Sequence, residues 1–117
     1  MVKLTKLGNT KSYGLAAKGK QTVVKLCTGC PSVLVFTHPD CIHCVKFLPE
    51  VNKLKLQYAN KGIHVLHYDV TRYPLVARYF RVTSYPTVYT YNPHTDDLAE
   101  YNGSRSAYAI YHYAVAL

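Results

Sequence analysis

The sequence predicts an α/β fold, a central mixed sheet of four to five strands flanked by helices. Two observations carry the prediction. Short β-branched apolar runs alternate with segments of helical periodicity along most of the chain, the pattern of a sheet covered on both faces. Two strands near the C-terminus are close enough to pair as a hairpin, which makes the sheet mixed rather than all parallel. The chain has 117 residues, 49% of them hydrophobic and 17% charged. That is the length of one domain, and it excludes a disordered or collagenous chain. We expect a single domain over residues 1–117, with a basic strand/helix segment at 1–31 and the core of the fold at 32–117.

The elements follow in order. Residues 2–7 alternate weakly and suit a short first strand. Residues 11–28 mix helix formers with Gly14 and Gly19 and are assigned a helix. Ser32-Val33-Leu34-Val35-Phe36-Thr37, after Pro31, is a short apolar run suited to a buried central strand. Residues 41–60 carry the clearest helical period. Cys44, Phe47, Leu48, Val51, Leu54 and Tyr58 form its apolar stripe, and Lys46, Glu50, Lys53 and Gln57 the polar face. Asn60 and Gly62 stop it. Asp40 is the candidate N-cap. Residues 63–69 read as a second buried strand and 72–80 as a short helix. Residues 87–91 and 97–101 form the hairpin, turning at Asn92-Pro93-His94. The last helix spans 104–116, with Ser104 as its candidate N-cap.

The net charge is +8, from fourteen Lys and Arg against six Asp and Glu. Lys3, Lys6, Lys11, Lys18, Lys20 and Lys25 all precede the first acid, Asp40. A basic segment of this kind attracts nucleic acid, anionic membrane or acidic protein, or is simply a solvated face. No Arg-aromatic interleaving supports nucleic acid. No apolar run approaches the ~18 residues of a membrane span. The N-terminus has no apolar leader, so a cytoplasmic location is expected.

Cys41-Ile42-His43-Cys44 lies between a buried strand and the long helix. Two intervening residues put both sulfurs within one helical turn. Unpaired amides and about half a positive charge at a helix N-terminus favour a thiolate. In such pairs the first cysteine's pKa is typically lowered from about 8.5 to between about 3.5 and 7.5. A charged His43 pushes the same way, and Asp40 opposes it. The second sulfur, one turn in, can resolve a mixed disulfide.

From Ser32 onward the chain resembles the thioredoxin superfamily, and within it the catalytic domain of protein disulfide isomerase. Cys41-Ile42-His43-Cys44 is similar to that family's Cys-Gly-His-Cys. Lys46 and Pro49 match the basic residue and the helix proline downstream of it. Tyr85-Pro86-Thr87 matches its Tyr-Pro-Thr. Tyr101, Gly103, Arg105 and Ile110 match its closing Tyr-x-Gly-x-Arg pattern. The resemblance implies a thioredoxin-like fold and makes residues 32–117 a redox core. It implies catalytic roles for Cys41, Cys44, His43, Pro86 and Arg105, with a cis bond before Pro86. Arg105 would adjust the second cysteine. It also implies that Tyr85, Ile42 and Thr87 meet an extended client segment by strand addition. Two positions depart from the family. Val35 stands where the family has a buried acid six residues before the first cysteine, and Asp40 where it has Trp. Without that acid to take its proton, Cys44 should resolve mixed disulfides slowly.

Cys27-Thr28-Gly29-Cys30 is a second Cys-x-x-Cys. A zinc site shared by both pairs is opposed by spacing. The gap of ten residues (31–40) is shorter than the usual ~15–20, and an intervening strand would hold the pairs about 20 Å apart. A Cys27–Cys30 disulfide and two free thiols both remain open readings. His38, Cys41, His43 and Cys44 form another conceivable metal cluster, but no metal is assigned. His64 and His67 read as ordinary strand residues, and Asp69 as a turn or cap. Twelve tyrosines are present and no tryptophan. Tyr108, Tyr111 and Tyr113 spread around the last helix, so some are exposed.

The expected function is thiol–disulfide oxidoreductase chemistry on protein thiols and disulfides, with no organic cofactor. The alternative is a structural or adaptor protein of the same fold. Its basic N-terminal segment and tyrosine-rich last helix would hold it in a larger assembly, such as a virion.

Overall fold

The computed structural model of the protein describes residues 3–7, 12–17, 20–27 and 29–117. Among these residues, seven strands and three helices run in the order β1 (Lys3–Leu7), β2 (Ser12–Ala17), β3 (Lys20–Lys25), β4 (Ser32–Thr37), α1 (Ile42–Lys53), β5 (His64–Asp69), α2 (Pro74–Tyr79), β6 (Thr87–Asn92), β7 (Asp97–Glu100) and α3 (Ala107–Val115). Leu54–Tyr58 continues α1 as a π-helical turn.

The central sheet is four-stranded and mixed, ordered β5-β4-β6-β7. β4 pairs in parallel with β5 and antiparallel with β6. The β6–β7 hairpin runs from Tyr89↔Glu100 to Asn92↔Asp97. Alternation along β4 builds a core on each face. Val33 and Val35 pack with Phe47, Val51 and Leu54 of the long helix and with Ala107, Ile110 and Ala114 of α3. Leu34 and Phe36 pack on the other side with Tyr68, Val76 and Ala77. Phe36 is fully buried, its ring 5.5 Å from both Tyr68 and Phe80.

The helix assigned to 11–28 is a correction. These residues form β2 and β3, which join β1 in a separate antiparallel three-stranded sheet. Cross-strand pairing from Ser12↔Lys25 to Ala17↔Lys20 outweighs the helix propensity of Leu15, Ala16 and Ala17. Val24 anchors the meander in the Phe36 core. Val2, Lys11, Lys18, Gly19 and Thr28, which the sequence reading included, lie outside the described residues. So do the side chains of Lys3, Lys6 and Lys20.

Both expected helix caps also differ. Cys41, not Asp40, caps α1. Ser106, not Ser104, caps α3, its Oγ accepting from Ala109 N at 3.1 Å. Leu48 stands at the surface and leaves the apolar stripe to Cys44, Phe47, Val51 and Leu54. No helix among the described residues is long and apolar enough to cross a membrane.

Candidate active site

β4 ends at Thr37, and a short loop turns the chain into α1. Cys41 N donates to His38 O at 3.2 Å, and Asp40 N donates to His38 Nδ1 at 3.1 Å. This turn puts Cys41 at the N-cap with extended backbone (φ −100°, ψ 115°). Its Sγ takes the place of the usual capping oxygen and accepts the amide hydrogen of Cys44 at 3.2 Å. A negative sulfur here is held by a backbone donor and by the positive end of the helix.

The Tyr85-Pro86 bond is cis. It brings the Tyr85 carbonyl to Cys41, whose thiol donates to it at 3.5 Å. The His38 ring lies 5.4 Å from that of Tyr85. Cys41 is half-buried, while Ile42 and His43 are exposed. Pro86 forms the buried floor. Thr87 is placed differently from its expected contact with a client chain. It is buried, and its hydroxyl donates to Ser84 O at 2.6 Å. It therefore shapes the loop that leads into β6.

Cys44 is 1% exposed. Burial, then the hydrogen bond and charge of Cys41, push its thiol up to about 11, while a His38 backbone group and the Arg105 charge pull it down. Arg105 is exposed and lines a cleft with His43, Lys46, Phe47 and Glu50. It also borders a cleft of about 520 Å³ with Pro86 and Tyr101. The Tyr101-x-Gly103-x-Arg105 spacing has a steric reason. The Tyr101 ring folds over Gly103 and its hydroxyl donates to Ser104 O at 2.6 Å, and a Cβ on Gly103 would stand 2.6 Å from that hydroxyl.

Cys27 and Cys30 are joined by a disulfide, Cα atoms 5.3 Å apart, before β4 begins. Cys41 and Cys44 are free thiols after it ends. Among the described residues no three His, Cys, Asp or Glu side chains are grouped to hold a metal, and this includes His38, Cys41, His43 and Cys44. Asp69 is the last residue of β5, and its carboxylate accepts from Thr71 N at 2.8 Å to shape the turn that follows.

Sequence reasoning misses two groups. Glu50 accepts from Ala107 N at the start of α3. His67 hydrogen-bonds Thr37 Oγ1 through Nε2 at 2.8 Å. Periodicity carries no signal for either, because each acts across a sequence distance that only the fold closes.

The thioredoxin family model matches residues 16–116. Among solved structures, the first thioredoxin domain of mouse protein disulfide-isomerase A4 is similar at 30% identity and TM-score 0.60, over 74% of this chain and 61% of that one. The J-Trx1 fragment of ERdj5 aligns at 20% identity and TM-score 0.65, over 75% and 43%. The first two thioredoxin domains of Naumovozyma dairenensis Eps1p align at 18% and 0.64, over 85% and 41%. This chain thus spans less than two thirds of each of these three. Among curated proteins no sequence matches. A thioredoxin fold bearing Cys-x-x-Cys suggests oxidoreductase-type activity on thiols and disulfides. The chain belongs to the thioredoxin family and is close to the domains of protein disulfide isomerases.

Proposed function

We propose that the chain is a thiol–disulfide oxidoreductase working through Cys41 and Cys44. The observation that carries this is the placement of Cys41 Sγ. It caps a helix, accepts the Cys44 amide hydrogen at 3.2 Å and faces the Tyr85 carbonyl beside a cis proline. As thiolate, Cys41 attacks a client disulfide and forms a mixed disulfide. Cys44 then attacks Cys41 Sγ, the client sulfur leaves with the electron pair, and the client is reduced. Run in reverse, the pair donates a disulfide. The exposed Ile42 and the Tyr85 backbone receive the client chain.

Insulin reduction tests this reading. Cys41→Ser should abolish turnover, whereas Cys27→Ser/Cys30→Ser should retain it. Loss in the second variant alone would move the activity to the other pair. Equal near-zero rates for wild type and Cys41→Ser would sink the enzyme reading and leave an adaptor of the same fold. The reduction potential then sets direction: about −270 mV marks a reductant, about −180 mV or higher an oxidant or isomerase.

A further inference from the structure

A mixed disulfide is released only when Cys44 gives up its proton. Its sulfur is buried, and the family's acid is replaced by Val35, itself fully buried among hydrophobic side chains. In the parallel register Val35 lies directly opposite His67. Paired residues of neighbouring strands project to the same face of the sheet, here the face that α1 covers. His67 therefore occupies the strand position beside the one the acid would fill.

The surroundings are open to water and combine polar side chains with an apolar wall of Pro39, Val45 and Leu48. Thr37, His38, Cys44, His67 and Asp69 share a cavity of about 320 Å³. One water occupies about 30 Å³ in the liquid, so the space admits several, with Thr37, His38, His67 and Asp69 as their hydrogen-bonding partners. Thr37 is buried, and its hydroxyl, 2.8 Å from His67 Nε2, ties the ring to the end of β4.

We propose that His67 receives the Cys44 proton through this cavity, by way of water and the Thr37 hydroxyl. This rests on the dithiol reading above and adds to it the fate of one proton. Cys44 S–H loses its proton toward His67 and becomes a thiolate. The thiolate attacks Cys41 Sγ, the Cys41–client S–S bond breaks, and a Cys41–Cys44 bond forms. The client leaves as a thiolate and takes a proton from solvent, and His67 returns its own to water. His67 touches neither reacting sulfur and is a positioning residue for the proton.

The charged and titratable groups around His67 are Lys55 from the π-helical turn, Asp69 from its own strand, and Cys44 and His38 across the cavity. Burial first, then Lys55, holds the imidazole below its usual range, against Asp69. The ring is therefore neutral and able to accept at pH 7.

The test uses the reduced full chain in a Cys27→Ser/Cys30→Ser background, mixed with 5,5′-dithiobis(2-nitrobenzoate). The first thionitrobenzoate released reports attack by Cys41, and the second reports resolution by Cys44. His67→Gln should leave the first release unchanged and slow the second by about 10²-fold at pH 7. The wild-type second step should fall only once pH drops below the ordinary imidazole range, where His67, held low by burial, takes a proton. That limb should vanish in His67→Gln, whose rate should climb about tenfold per pH unit toward Cys44's own ionisation. Thr37→Val keeps the ring and should also slow the second step. Should His67→Gln not fold, Thr37→Val decides. A wild-type pH profile in the variant that decides overturns the relay while leaving the dithiol reading intact. Absence of a first release from Cys41 overturns both.

Discussion

The carboxylate of Glu50, in the last turn of α1, accepts the amide hydrogen of Ala107, the first residue of α3, at 2.9 Å. Helix N-termini leave amides without partners, and here a side chain 57 residues away supplies one. The other oxygen of Glu50 pairs with Lys53 at 3.0 Å. The bond fixes α3 against the helix that carries the dithiol. Glu50→Ala should lower the midpoint of urea unfolding, and Glu50→Gln should lower it less. The Ala107 amide first, then Lys53, lowers the carboxyl below its usual value. Its stabilisation is therefore present above about pH 4.3 and is lost as pH falls through the lower folded value. Unfolding midpoints between pH 6 and 3 should fall more steeply for wild type than for Glu50→Gln. Equal slopes would show that the bond does not persist in solution.

Alkylation separates the Cys41 and Cys44 thiols. Iodoacetamide at pH 7 should label Cys41 while Cys44 stays protected, because burial raises the Cys44 thiol to about 11. Labelling of Cys44 should rise with pH toward that value, and in urea both should react alike. Mass spectrometry of the peptide containing both cysteines reads the ratio. Rapid Cys44 labelling in the native protein at pH 7 would contradict the burial seen here.

Phe36 is the centre of an aromatic cluster on the second face of the sheet, with Tyr89 edge-on at 6.1 Å. Phe36→Ala should cost about 3–5 kcal/mol, and Phe36→Leu markedly less. Denaturant titration measures both. A loss under about 1 kcal/mol for the alanine variant would mean that the cavity collapses.

The tyrosines of α3 should divide. Tyr111 stacks on Tyr58 at 4.5 Å and donates to Lys61 O at 2.7 Å. Tyr111→Phe should cost about 1 kcal/mol. Tyr108, 66% exposed, should tolerate Ser within about 0.5 kcal/mol in the isolated chain. Thermal melts of the two variants test the split.

Most of the central sheet and the dithiol helix is legible in the sequence because their signals are local. Ser32–Thr37 is a β-branched apolar run, and Cys44, Phe47, Val51 and Leu54 repeat at helical spacing. The cis bond before Pro86 follows from resemblance alone. What local pattern cannot show is partnership. Leu15-Ala16-Ala17 reads as helix until β3 pairs with it. Ser104 and Ser106 are equal as caps until the Tyr101 hydroxyl takes the Ser104 carbonyl and Glu50 fixes Ala107. His67 looks ordinary until the parallel register sets it beside Val35.

β4 keeps the Cys27–Cys30 bond at its start and the Cys41–Cys44 pair beyond its end, a separation of about 20 Å across six extended residues. Sulfur exchange requires contact, so electrons have no path from one couple to the other within a molecule. Any traffic between them passes through a second chain or a small thiol, and each end can sit at its own set point. Reducing one bond leaves the other uninformed.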